Sequence, residues 1–146
     1  MKLNHFRRPL TALALLGGAA AVVPATAGTA SADTICASGY YSSASENFYD
    51  NSGHLAAVAT IFRYRWGTCS DLVARGVYSG ESKYMSITTY SDNGTSASDS
   101  GNYHFYAGPV NLSDNVAGLC ATTWVVMHYP NGAGMIDTSG PDSICD

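Results

Sequence analysis

The sequence predicts an all-β protein: a small, disulfide-stapled antiparallel β-sandwich or barrel. Short runs of β-branched and aromatic residues recur about every ten residues, and breaker pairs separate them. No long segment has the 3.6-residue apolar period of a helix. Charge is sparse, with only 12% charged residues, while Gly, Ser, Thr and Tyr are abundant, as in β-proteins with hydroxyl-rich faces.

The chain opens with an export leader. Lys2, Arg7 and Arg8 form a basic start, and Leu10 to Val23 form an apolar run too short and wrongly flanked for a membrane span. Ala30-Ser31-Ala32 is a small-x-small cleavage site, so residues 1–32 are read as a signal peptide and 33–146 as one secreted β-domain. Cleavage after Ala27 is an alternative, and Arg7-Arg8 leaves the twin-arginine route open beside general secretion. All eleven acidic residues lie after Ala32, opposed only by Arg63, Arg65, Arg75 and Lys83, an excess of seven negative charges. Such a surface repels phosphate backbones and excludes general nucleic-acid binding. The mature chain has no second apolar run of membrane length.

Asp33–Tyr41 is read as an extended entry and Ser42–Gly53 as a polar, turn-rich segment around Phe48-Tyr49. Leu55–Trp66 alternates, with Val58, Thr60, Phe62, Tyr64 and Trp66 on one face and Ile61, Arg63 and Arg65 on the other, which predicts a strand. Its alanine-rich start leaves one helical turn open. Cys69–Tyr78 forms a second strand after the Gly67-Thr68 breaker. Tyr84–Tyr90 forms a third, with Met85, Ile87 and Thr89 on one face. Asp92-Asn93-Gly94 is a turn, since Asn-Gly accepts positive φ, and Thr95 to Gly101 reads as a mobile loop. Asn102–Ala107 and Val110–Leu112 follow, separated by the Gly108-Pro109 breaker. Gly118–Tyr129 is the most apolar stretch; its continuous run Trp124 to Met127 predicts a central strand buried on both sides, with Trp124 in the core. Pro130-Asn131-Gly132 turns the chain into a short strand at Met135-Ile136.

Cys36, Cys69, Cys120 and Cys145 all lie in the exported part, and an even count in an oxidising compartment predicts two disulfides. Three connectivities are possible. We expect Cys36–Cys69 and Cys120–Cys145, because each ties an end segment to a nearby strand. No pair has C-x-x-C spacing, so a zinc site has no support.

Gly101-x-Tyr103, Tyr106-Ala107-Gly108-Pro109-Val110 and Ala117-Gly118-x-Cys120, with Cys36 ahead of Gly39-Tyr40 and a cysteine near the end, resemble the spore-associated protein A family of small secreted actinobacterial proteins. The resemblance covers about a third of the mature chain. It implies an exported protein found with spores or in the medium, and it supplies no catalytic residues.

Three functions fit the residues. The first is a secreted, non-enzymatic β-domain on the spore or cell surface, whose tyrosines and hydroxyls contact the envelope or a polysaccharide. The second is a small hydrolase or nuclease pairing His54, His104 or His128 with a carboxylate. The third is a secreted inhibitor or toxin binding a protein partner, with Asp92–Gly101 as its protruding loop. Arg63, Tyr64, Arg65 and Trp66 form a cationic–aromatic strip and are the candidate binding residues. No G-x-S-x-G elbow occurs, and Asp92, Asn93, Asp99 and Asn102 lack EF-hand spacing, so no catalytic residue, cofactor or metal is assigned. The first reading expects no convergent polar pocket; the second requires a histidine near a carboxylate in a concave site.

Overall fold

A computed structural model describes residues 35–36, 38–113, 119–137 and 143–145. The expected leader and its cleavage site lie outside them. No helix among the described residues is long and apolar enough to cross a membrane.

Eight strands form two antiparallel sheets: β1 (Ser42–Tyr49), β2 (Leu55–Tyr64), β3 (Gly67–Ala74) and β6 (Tyr106–Leu112) in one, in the order β1-β2-β3-β6; β4 (Lys83–Ser91), β5 (Ser96–Tyr103), β7 (Ala121–His128) and β8 (Met135–Asp137) in the other, in the order β5-β4-β7-β8. A single 3₁₀ turn, Gly76–Tyr78, follows β3. The fold is the small disulfide-stapled β-sandwich that the alternation predicts.

The core lies between the sheets. Phe48, Ala57, Ala59, Leu72 and Ala74 from one sheet meet Met85, Ile87, Val125 and Met127 from the other. Leu55–Ala59 is strand throughout, because alternate alanines there fill the space under the facing sheet, which a helical turn would not. Three hydroxyls sit among these alkyl groups. Thr89 Oγ1 donates to Ser70 Oγ at 2.9 Å, and Ser70 Oγ lies 3.2 Å from Thr123 Oγ1, so each buried hydroxyl has its partner in the facing or neighbouring strand.

Four segments differ from the sequence reading. Ser42–Tyr49 is strand β1, pairing with β2 from Ser42↔Arg63 onward; its polar look reflects an edge strand with Ser43, Ser45 and Asn47 outward. Ser96–Tyr103 is strand β5, not a loop: its inward positions are Ala97, Asp99, Gly101 and Tyr103, small or polar residues that hide the alternation. The chain changes sheet at His104-Phe105, and Phe105 is exposed there; Gly108-Pro109 instead lies inside β6, opposite a register shift between Ser70 and Leu72. The predicted second strand ends at Ala74, and Val77-Tyr78 belongs to the 3₁₀ turn.

Cys36 is bonded to Cys69 and Cys120 to Cys145, the sequential pairing, with Cα separations of 5.9 and 4.1 Å. The first bond lays the entry segment on the outer face of β3. The second holds Ile144 in a bridge with Ala121, where it packs on Ile61.

Candidate functional site

The two sheets differ on their outer faces. On the β1-β2-β3-β6 sheet, the outward Phe62 and Cys69 are covered by Cys36 and by Tyr40, whose ring centre lies 4.7 Å from that of Phe62. On the β5-β4-β7-β8 sheet the corresponding face is bare among the described residues except at one edge, where Ser143 Oγ meets Thr122 Oγ1 at 2.5 Å. Met85, Ile87 and Thr89 of β4 and Thr123, Val125 and Met127 of β7 point inward, so the residues between them point out.

Register assembles that face in rows. Ser96, Tyr90 and Thr122 form one, Ser98, Thr88 and Trp124 the next, Ser100, Ser86 and Val126 the third, and Asn102 and Tyr84 the fourth. Trp124 is 54% exposed, Tyr90 49% and Tyr84 39%, whereas a tryptophan in the core would be nearly covered. The expectation that Trp124 is buried is therefore wrong. The apolar run Trp124 to Met127 is not buried on both sides: Val125 and Met127 fill the core, while Trp124 stands on the surface. Tyr84 and Tyr90 are six residues apart on β4, about 20 Å at ordinary strand rise, and Trp124 stands between them on the next strand. The Tyr84 ring is steadied by His128, with centroids 5.1 Å apart.

None of the described outward residues of these four rows is Asp, Glu, Lys or Arg. The charged residues of β4 and β5, Lys83 and Asp99, turn inward. Asp99 accepts the Tyr103 hydroxyl at 2.6 Å and the Gly108 N–H at 2.7 Å. Lys83 is buried and donates to the carbonyls of Glu81 and His104 at 2.7 and 2.9 Å; burial pushes its ammonium down to about 8. What stands outward in these rows is three large rings among serine and threonine hydroxyls, with His128 beside Tyr84 and Met135 beyond it at one end; rings and hydroxyls are dehydrated far more cheaply than an ion.

The strip Arg63-Tyr64-Arg65-Trp66 does not form one surface. Arg63 points between the sheets, 1% exposed, with its Nε donating to the Tyr41 hydroxyl at 3.1 Å. Tyr64 packs beside Tyr40 and the Cys36–Cys69 bond. Arg65 lies over the Trp66 ring at 5.1 Å, and Trp66 is 72% exposed. Tyr64 and Trp66, with Gly67, Asn111 and Ser113, line a pocket of about 300 Å³ on the covered sheet.

His54 does meet a carboxylate: its Nδ1 lies 3.1 Å from Asp50 Oδ2. Asp50 also accepts the backbone N–H groups of His54 at 2.9 Å and Ser52 at 2.8 Å and the Tyr78 hydroxyl at 2.8 Å. The His54 N–H and then the Tyr78 hydroxyl do most to hold its carboxyl down at about 2. Those bonds fix the β1–β2 turn, and His54, 69% exposed, stands on it in the open. A general base needs a substrate held against it, and this pair is outside the pocket at Trp66 and the second one at Tyr103–Tyr106. His104 Nδ1 is 2.8 Å from the Gly80 carbonyl oxygen, and His128 lies against Tyr84. Asp92 accepts the Cys120 N–H, Asn93 its own turn and Asp99 the sheet corner, so these residues do not gather round one point.

Two of the three rings of the bare face were legible: alternation that puts Met85, Ile87 and Thr89 inward puts Tyr84 and Tyr90 outward. Trp124 needed its register with Thr88. Comparison with protein-family models, with curated proteins and with solved structures returns no match to this chain.

Proposed function

We propose that the protein is an exported, non-enzymatic β-domain that attaches to the spore or cell surface through the bare face of the β5-β4-β7-β8 sheet. The observation that carries this reading is the exposure of Trp124, Tyr90 and Tyr84 together on one face, in rows whose described residues carry no Asp, Glu, Lys or Arg. A sheet surface that serves only solubility carries charge; large rings left uncovered on one face mark a contact surface. Two disulfides suit an oxidising compartment outside the cytoplasm. The resemblance of Gly101–Cys120 to spore-associated secreted proteins supports the same location. The open position of His54 and the complete use of Asp50 in its turn weigh against the hydrolase reading.

The test is co-sedimentation of the folded protein with washed spores and cell envelopes. Trp124→Ala should lower retention at least about tenfold, the share expected of one anchoring ring, with an unchanged unfolding midpoint. Retention undiminished in Trp124→Ala combined with Tyr84→Ala and Tyr90→Ala would refute attachment through this face.

A further inference from the structure

We infer that the occupant of this face is an uncharged, hydroxyl-rich polymer presenting a flat surface, that is, a neutral polysaccharide; the inference rests on the surface-attachment reading above. Three properties of the face select that chemistry.

The first is charge. An anionic polymer calls for lysine or arginine at the contact. Arg63 and Arg65 belong to the other sheet's end, Arg75 follows β3, and Lys83 is spent on two backbone carbonyls under the chain's crossing point. A cationic polymer calls for carboxylates, and Asp99, the acidic residue of β5, points inward to Tyr103 and Gly108. An uncharged partner fits the four described rows, which offer neither sign.

The second is the mixture of groups. A sugar ring has an apolar face of C–H bonds and a rim of hydroxyls. The negative π-face of Trp or Tyr attracts such C–H groups, and rim hydroxyls need donors and acceptors beside the ring. Trp124 lies in one row with Thr88 and Ser98, and Tyr90 in one row with Thr122 and Ser96. A protein partner's apolar hot spot would meet mainly aliphatic neighbours; here half-buried Val126, and Met135 beyond His128 at one end, stand among more numerous hydroxyls.

The third is shape. The rings stand along about 20 Å of a sheet surface; a pocket of about 300 Å³ lies on the other sheet, and one of about 370 Å³ touches this face only at its Asn102 corner. A short soluble saccharide gains affinity by being enclosed. A face without walls engages instead a polymer surface, through several weak stacking contacts at once.

The full protein is to be mixed with microcrystalline cellulose and with chitin at low salt and at 1 M NaCl, alongside washed envelopes. Retention on either neutral polymer should be the same at both salt concentrations. It should fall at least tenfold in Trp124→Ala, persist in Trp124→Phe and in Trp66→Ala, and resist competition by soluble disaccharide. Unfolding midpoints of the variants confirm that each is folded. Envelope capture that needs Trp124 but is abolished by salt, with neither neutral polymer retained, would overturn the neutral-polysaccharide inference and leave surface attachment standing. Envelope capture that survives Trp124→Ala would overturn the attachment reading itself.

Discussion

The carboxylate of Asp99 accepts the backbone N–H of Gly108 at 2.7 Å, and so ties β5, an edge strand of one sheet, to β6, an edge strand of the other. The same side chain accepts the Tyr103 hydroxyl at 2.6 Å. Hydrogen bonds to a charged acceptor contribute about 1.5–3 kcal/mol each. Asp99→Ala should therefore destabilise the fold by about 2–4 kcal/mol in a urea titration, since it also leaves the Gly108 N–H without its acceptor. A loss below about 0.5 kcal/mol, the scatter of ordinary surface substitutions, would show that the corner is held by packing alone.

Gly67 offers a steric test. A Cβ there would lie 1.8 Å from the Leu112 carbonyl oxygen, which belongs to backbone and cannot swing aside. Its φ of 149° adds strain for any L side chain. Gly67→Ala should part the β3–β6 pairing near Thr68↔Leu112 and cost at least about 2 kcal/mol. Hydrogen exchange of the β6 amides, faster at Leu112 than at Ala107, is the expected signature.

Two aspartates give opposite pH limbs. Asp71 is buried beneath the entry segment, and burial raises it to about 6 despite hydrogen bonds from the Ile35 and Cys36 N–H groups and the charge of Arg75. With an ordinary value of 3.8 in the unfolded chain, the folded state binds the extra proton between these values. Its contribution to stability is thus greatest in acid and declines as pH rises toward 6. Asp50, held at about 2, contributes above 3.8 and loses that contribution as pH falls through 2. Asp71→Asn should flatten the decline between pH 4 and 6, and Asp50→Asn should flatten the acid limb below pH 4, in unfolding midpoints measured across pH.

The hydroxyls of Ser70, Thr89 and Thr123 should behave as a unit. Thr89→Val keeps the volume but strips Ser70 of its donor at 2.9 Å, which should cost about 1–3 kcal/mol. Ser70→Ala with Thr89→Val and Thr123→Val removes every unsatisfied partner and should cost much less than the sum of the single changes. Strict additivity in the cycle would show that the three hydroxyls are independent.

Trp124→Ala, by contrast, should change stability by less than about 1 kcal/mol, because more than half of the side chain is already in water. A loss of about 3–5 kcal/mol, the range for a buried large aromatic, would contradict its surface position.

The fold was legible where packing leaves a period of two. Met85 and Ile87 announced β4 because they are large, apolar and inward, and β2 was announced by its outward Val58, Phe62 and Tyr64. Ser96–Tyr103 was not, because its inward residues include Gly101 and the bonded Asp99, and no hydrophobicity pattern marks an aspartate that faces inward to hold a backbone amide. The candidate site was hidden for the opposite reason. Trp124 adjoins Val125, Val126 and Met127, and a run of apolar residues reads as core whether its alternate face meets a second layer or a ligand. The strip at Arg63–Trp66 was half visible: alternation separated Arg63 from Tyr64 and Trp66, but it did not tell which side was interior.

The Cys36–Cys69 bond and Tyr40 cap only one of the two sheets, and this makes the molecule two-sided. Attached through the bare sheet as proposed, it would land one way up. The capped sheet, with the pocket beside Trp66, would then look away from the surface. A layer of such molecules would replace the chemistry of the surface beneath it with that of the capped side, and present one uniform skin to whatever approaches next.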